Sequence, residues 1–282
     1  MNTTAKKAPS ARTMKARENQ KKRLEHVREV IKRANAGEVV ARYEIIVILS
    51  KAFSYHDSGK IEGLTSLDVS CANNDFCGRM QESEAPEMIC KYCYTRSFWE
   101  TATAAHYITG LILSEVVLTE EEAAAVIVPA LMVRFNCDGE LINQIHALNL
   151  LRIAKAHPVT IFTVWTKRPG ILNAVVMTYG KPINLVCGIS SPMINVPFRD
   201  VFTWCDFVFT VYTPRGMKEA LAREEFPCNG RKCMACGFRC YQRNAARKGP
   251  VYIAEALRRP KGISAKAFPA VIAAIDAATL DK

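Results

Sequence analysis

Residues 131–189 read LMVRFNCDGELINQIHALNLLRIAKAHPVTIFTVWTKRPGILNAVVMTYGKPINLVCGI. Three apolar, β-branched runs alternate here with two stretches of helical periodicity. The spacing predicts strands over Leu131–Asn136, Thr160–Trp165 and Ile183–Ile189, with helices over Leu141–Ala156 and Pro169–Tyr179 between them. Pro169 suits the first turn of the second helix, where its missing N–H is not needed. Strands that alternate with helices form βαβ units and a parallel sheet.

The alternation extends both ways. Upstream, Leu64–Ser70 reads as a strand and Tyr94–Ser114 as a helix with Phe98, Ala102, Ala105 and Ile108 on one face. Thr119-Glu-Glu-Glu122 forms a capping box for a second short helix, with Leu118 as its staple. Downstream come a strand at Phe207–Tyr212, a helix at Pro214–Glu225 and a closing helix at Ala265–Leu280. About five to six such units without a glycine-rich dinucleotide fingerprint fit an α/β fold of the partial (βα) TIM-like barrel type. The expected organisation is a basic extension over 1–36, a partial barrel with the first cysteine group over 37–225, and a cysteine-rich segment with a last helix over 226–282. Within 37–63 the sequence is mixed, with an apolar run at Ile45–Leu49 and a turn at His56–Gly59.

Composition narrows the class. Hydrophobic residues are 49% and charged residues 23% of 282, ordinary for a globular chain with a sizeable core. The longest apolar stretch, Ala123–Val133, contains Pro129 and falls short of the roughly 20 residues a spanning helix needs. No apolar region follows the basic start, so a secretory signal is not expected and the chain reads as cytoplasmic. In a reducing compartment, eleven cysteines point to metal or redox chemistry, not to disulfides. The formal charge is +11, and Met1–Arg33 alone carries eleven Lys and Arg against three Glu, a net of +8. That arm is able to neutralise nucleic-acid phosphates, or to be a solvated helix. It has no aromatic residue on which bases would stack.

Eight cysteines fall into two groups. The first, SCANNDFCGRMQESEAPEMICKYCY, holds Cys71, Cys77, Cys90 and Cys93; the second, PCNGRKCMACGFRCY, holds Cys228, Cys233, Cys236 and Cys240. A structural cysteine sits singly among apolar neighbours. These lie among Asn, Gly, Arg, Lys and Pro, where a shared metal accounts for them. The second group, C-x4-C-x2-C-x3-C, is close to the compact run of bacterial ferredoxins and points to a 4Fe–4S cluster. The first, C-x5-C-x12-C-x2-C, read alone also suits zinc. One or two clusters are expected, with zinc in four-cysteine sites and a nucleic-acid-contacting arm as the alternative. Cys187 and Cys205 read as core thiols, and so does Cys137, although it sits at a strand end. His56, His106, His146 and His157 show no ligand spacing.

With both groups placed, further marks stand in order: Ser70-Cys71-Ala-Asn73, Ile89-Cys90-Lys-Tyr-Cys93-Tyr94, Arg134-Phe-Asn-Cys-Asp-Gly139-Glu140, Trp165-Thr-Lys167-Arg168-Pro169, Ser190–Asn195, Val208–Tyr212 and the second cysteine group. From about Lys60 to Tyr241 the chain resembles phage and bacterial proteins of the gene-product-eighty-eight kind, described as radical S-adenosylmethionine-like. The resemblance implies a partial barrel with a 4Fe–4S cluster at the C-terminal ends of the strands. Three cysteines would hold it, and S-adenosylmethionine would take the open iron. The usual C-x3-C-x2-C motif is absent, and either Cys71 or Cys77 would join Cys90 and Cys93, with Tyr94 beside the last ligand. Gly139 and Glu140 would hold the methionine amine; Lys167 is a candidate catalytic group beside Glu140, with Lys167-Arg168 able to meet a carboxylate or phosphate. Ser190, Ser191 and Asn195 would line the same mouth. The substrate is not legible.

Overall fold

The computed structural model describes residues 11–93, 104–228, 230, 232–236, 239–242, 249–260 and 262–281. The chain is α/β. Among these residues nine α-helices accompany one eight-stranded, mostly parallel sheet of order β1-β2-β3-β4-β5-β6-β8-β7. The strands are β1 Phe53–Tyr55, β2 Thr65–Leu67, β3 Met132–Phe135, β4 Ile161–Thr166, β5 Leu185–Ser190, β6 Phe207–Tyr212, β7 Phe226–Pro227 and β8 Val251–Ala256. Of these strand pairs only β1 with β2 is antiparallel. From β2 to β6 the order follows the chain without reversing, so the sheet has no switch point of the doubly wound kind.

The helices are α1 Ala11–Asn35, α2 Val39–Ser50, α3 Asp75–Glu82, α4 Ala104–Glu115, α5 Glu120–Ala125, α6 Gln144–Ala156, α7 Pro169–Tyr179, α8 Pro214–Ala222 and α9 Phe268–Thr279. Thr119 and Glu122 close the expected capping box on α5. Alternation along each strand sorts the side chains onto two faces. Val133, Phe135, Phe162, Val164, Leu185, Cys187, Ile189 and Val208 join the main apolar core with α1, α2, α4, α5, α6 and α7. On the opposite face Phe207, Phe209 and Ile253 pack with Trp165, Cys228 and Cys240, while Leu64 packs with Cys233 and Tyr241. The second cysteine group therefore covers the face that the helices leave.

Several expectations need correction. The strand expected over Leu64–Ser70 spans only Thr65–Leu67, because Ser70 turns out to cap the next turn. Helix α2 and strand β1 replace the mixed segment 37–63. The second cysteine group does not follow the last strand: β8 comes after it and inserts between β6 and β7. Residues 226–256 thus extend the same sheet. The basic segment, expected to be flexible or helical, is helical from Ala11, but it is not wholly solvated: its Val27, Val30, Ile31 and Ala34 are buried in the main core. Within the helix expected over Tyr94–Ser114, residues 94–103 lie outside the described residues, Tyr94, Phe98 and Ala102 among them. No helix among the described residues is long and apolar enough to cross a membrane.

Candidate metal centre

The first cysteine group is assembled by the loops that leave the C-terminal ends of the strands. After β2, the Ser70 hydroxyl accepts from Ala72 N at 3.1 Å and opens a one-turn helix, Cys71–Asn73. Asn74 Oδ1 accepts from Phe76 N at 3.1 Å and starts α3, which carries Cys77. The Asn74 amide also donates to the carbonyls of Glu140 (2.9 Å) and Leu141 (3.1 Å), stitching the β2 exit to the β3 exit. Gly139 makes that approach possible. Its φ is +82°, and a Cβ there would lie 2.3 Å from the Val69 carbonyl oxygen. No other residue combines a left-handed φ with such closeness at low cost.

A second one-turn helix, Ile89–Tyr92, carries Cys90 and leads into Cys93. It docks on the loop after β5, where Ile89 N donates to Pro192 O at 2.9 Å and Ile194 N donates to Glu87 O at 2.8 Å. Tyr92 Oη donates to Pro86 O at 2.8 Å and closes the segment on itself. Hence Cys71, Cys77, Cys90 and Cys93 come from three separate local devices tied to the ends of β2, β3 and β5.

Glu140 and Lys167 stand among them. Glu140 is 3% exposed. Its Oε1 accepts from Leu141 N (2.8 Å) and Thr166 Oγ1 (2.6 Å), and its Oε2 accepts from Lys167 N (2.7 Å). The carboxylate therefore clamps the β3 exit to the end of β4. Burial lowers the Lys167 ammonium pKa, but Cys90, Glu140, Cys93 and Cys77 outweigh it and hold the group above the ordinary lysine range. Burial raises the Cys90 thiol, with Lys167 opposing and Cys93, Glu140 and Cys71 adding to the rise. Three thiols of the group thus act on one buried cation, and the fourth, Cys71, acts on Cys90. Arg168 donates to the carbonyls of Leu141 (2.8 Å) and Ile142 (2.7 Å) and lies over the Phe76 ring of α3, where Glu140 and Cys77 also act on it.

The second group has its own cations. Cys233 N donates to Lys60 O at 2.7 Å, Cys228 N to Ala254 O at 2.7 Å, and Thr163 Oγ1 to Cys240 O at 3.2 Å. Lys60 Nζ pairs with Glu255 and interacts with Cys228. The Arg134 guanidinium lies 3.9 Å from the Trp165 ring centroid. Burial pushes the Cys240 thiol up to about 12, Cys228 adds to the rise, and Arg134 opposes it. Cys233 is raised by burial against Lys60 and Arg134. The first group lies at the strand ends, while Cys228 and Cys240 of the second pack against the face that carries Trp165 and Phe209.

None of the eleven cysteines forms a disulfide. Among the described residues no three His, Cys, Asp or Glu side chains converge at metal-binding geometry, so the thiols share a charge environment without closing to bonding distance. The donor type still suits a thiolate-ligated centre. Four thiolates around a dication leave a formal charge of about −2, which one buried ammonium halves.

Three sequence readings change. Asn195, expected at the cofactor mouth, uses its whole side chain for packing. Its amide donates to Asp276 (3.1 Å) and Thr279 (2.9 Å) of α9, and its carbonyl accepts from Thr213 N (2.8 Å) and Thr213 Oγ1 (3.1 Å). Ser191 likewise turns inward to Met193 O and Val196 O, while Ser190 ends β5 half-buried. Cys187 and Cys205 lie in the main core as expected, but Cys137 does not. It is partly exposed and meets Arg134, Asp68, Asp138 and Ser66, and burial pushes its thiol up to about 12. Sequence reasoning also missed the chain His56–Ser66–Asp68, in which His56 Nε2 reaches Ser66 Oγ at 2.7 Å and Ser66 donates to Asp68. The alternation Ser66–Asp68 on one strand face was its only signal.

Comparisons of the chain with protein-family models, with curated proteins and with solved structures return no match.

Proposed function

We propose that this chain is an iron–sulfur protein whose first cysteine group holds a 4Fe–4S cluster at the C-terminal edge of the sheet, and that it acts as a radical S-adenosylmethionine-like enzyme. One observation carries the reading: Cys77, Cys90 and Cys93 act on Lys167 beside Glu140, with Cys71 next to Cys90, where the strands end. Parallel α/β sheets place their chemistry at that edge. In this reading the sheet curls as a partial barrel, Cys90 and Cys93 are ligands, and Cys71 or Cys77 completes the set. When bound, the cluster would supply an electron for cleavage of S-adenosylmethionine. The chain's own residues do the positioning. Lys167 offsets negative charge, Glu140 fixes the β3 and β4 exits, and the segment around Ile89 closes one side of the site. Gly139 and Ser190 line the approach. The second group holds an auxiliary or structural centre.

The four cysteines of each sequence group also support a second reading, in which each forms a closed four-cysteine zinc site and the protein is not a catalyst. Metal and acid-labile sulfide analysis after purification without air separates the two. Iron and sulfide, with part lost in Cys90→Ala and a separate part lost in Cys236→Ala, would support the proposal. Zinc without sulfide would end it. With iron present, S-adenosylmethionine and dithionite should yield 5′-deoxyadenosine. An intact cluster that yields none would remove the enzymatic part.

A further inference from the structure

Helix α1 is divided. Its C-terminal part is anchored: Val27, Val30, Ile31 and Ala34 are each at most 4% exposed in the main core, and Asn35 Nδ2 donates to Glu115 O at 3.0 Å. Three buried β-branched side chains hold that half in place. N-terminal to Val27 the packing thins to Leu24 against the core and His26 on Glu44 of α2. Of Glu18–His26, only Leu24 is even partly buried.

The charge is divided at the same point. Met1–Leu24 carries eight Lys and Arg against Glu18 alone, a net of +7, while residues 25–282 carry the remaining +4 of the +11. The anchored stretch from Glu25 to Asn35 is nearly balanced by Glu25 and Glu29. Lys22 reaches Glu18 at 3.6 Å, so the single acid of the overhang is already partnered. Fourteen helical residues from Ala11 to Leu24, at about 1.5 Å each, form a rod of about 21 Å.

The chemistry of this rod selects its partner. Between Ala11 and Arg23 the only apolar residues are Ala11, Met14 and Ala16, so it has no face to bury in a bilayer. It has no aromatic residue, so it offers no stacking platform for single-stranded bases. A second copy of the chain would meet it with the same positive charge. A duplex carries one phosphate per about 1.7 Å of axis, and its major groove of about 12 Å admits a helix.

We infer that the overhanging half of α1 is a rigid docking arm for the phosphate backbone of double-stranded nucleic acid, bound without sequence preference. The inference does not depend on which metal the cysteines hold.

The test uses the full chain as purified and a fluorescein-labelled DNA duplex of about 24 base pairs and arbitrary sequence, read by anisotropy. If about six phosphates are neutralised, affinity falls about a thousandfold between about 50 and 200 mM salt. Deleting residues 1–23 should weaken binding at the lower salt about a hundredfold, with the melting temperature unchanged because the packed side chains begin at Leu24. The triple variant Lys21→Glu, Lys22→Glu, Arg23→Glu keeps helix-forming residues and should lose binding as fully. The inference is overturned by full-chain protein that does not bind, by equal binding after deletion with the same salt slope, by preference for single strands, or by binding to phosphatidylserine vesicles alone.

Discussion

Replacing Glu140 by Gln changes one atom and separates two roles for this residue. In the structure both carboxylate oxygens are used, by two backbone N–H groups and one hydroxyl at 2.6–2.8 Å. A carboxamide has only one acceptor oxygen. If that oxygen faces Leu141 N, the new NH2 meets Lys167 N–H; if it flips, the NH2 meets Leu141 N–H. Thr166 is able to adapt, since its hydroxyl rotates. One buried backbone donor is therefore left facing another donor in either orientation. Loss of a hydrogen bond to a charged group costs about 1.5–3 kcal/mol, and an unpaired buried donor adds to it, so about 3 kcal/mol is expected. For a chain of this size that is a fall of about 6 °C in the melting midpoint.

The assay is thermal unfolding of wild type and Glu140→Gln, followed by far-ultraviolet circular dichroism with metal content matched. A carboxylate kept only to receive the amine of a cofactor would tolerate the amide with no change in the free protein. A shift below about 1 °C would therefore refute the clamp and return Glu140 to a binding role alone. A large shift with unchanged metal content would show that the clamp supports the fold around the thiols and does not itself hold the metal.

Asn195→Ala should loosen α9, because four of the hydrogen bonds that join the loop after β5, Thr213 and the last helix run through that side chain. We expect a loss of about 2–4 kcal/mol and new proteolytic cleavage after Thr213, read by mass spectrometry; unchanged cleavage would remove the argument. His146 is fully buried, its Nδ1 accepts from Ile142 N at 3.2 Å, and burial lowers its pKa from 6.5 to about 3. The folded chain keeps this ring neutral while the unfolded chain takes up a proton below about pH 6.5. Its contribution is therefore complete above that pH and is lost as pH falls from about 6.5 toward 3, at up to about 1.4 kcal/mol per unit. Urea midpoints measured stepwise from neutral pH down to about pH 4 should fall less steeply in His146→Gln, and equal slopes would discount the histidine.

The alternation of strands and helices was legible from residues 131–212 because each element there has its own periodicity, and the observed bounds lie within a few residues of those read. Strand β8 was not legible. Its sequence VYIAEA is short and alanine-containing, it follows a cysteine-rich loop, and its place between β6 and β7 depends on pairing with residues about 44 positions upstream in β6. Helix α2 was missed for a similar reason: its apolar residues run together in IIVIL and show no clean period. At the site, residue types were legible and commitments were not. Nothing local in SSPMIN says that Asn195 is engaged by Asp276 and Thr279, 81 and 84 positions away. Nor does FNCDGE show that Cys137 meets Ser66 and Asp68, since that contact exists only once β2 and β3 pair side by side.

The placement of the cations bears on why the chain needs two cysteine groups. Unliganded thiols crowded together repel as they ionise, and burial raises their pKa further, as at Cys240 and Cys90. A fold gains nothing from such crowding unless the thiolate form is used. Yet each group lies within the electrostatic reach of a basic side chain: Lys167 from the end of β4 for the first, Lys60 and Arg134 from before β2 and within β3 for the second. None of these cations is near its cysteines in sequence; each is delivered by the sheet. Burying an ammonium is costly without an anion. A cysteine in an apolar core, as Cys187 is, serves as a small neutral hydrophobe and gives no reason to bring a cation to it. In the proposed reading these charges, beside Glu140 at Lys167 and Glu255 at Lys60, would also balance the thiolates that a metal centre requires.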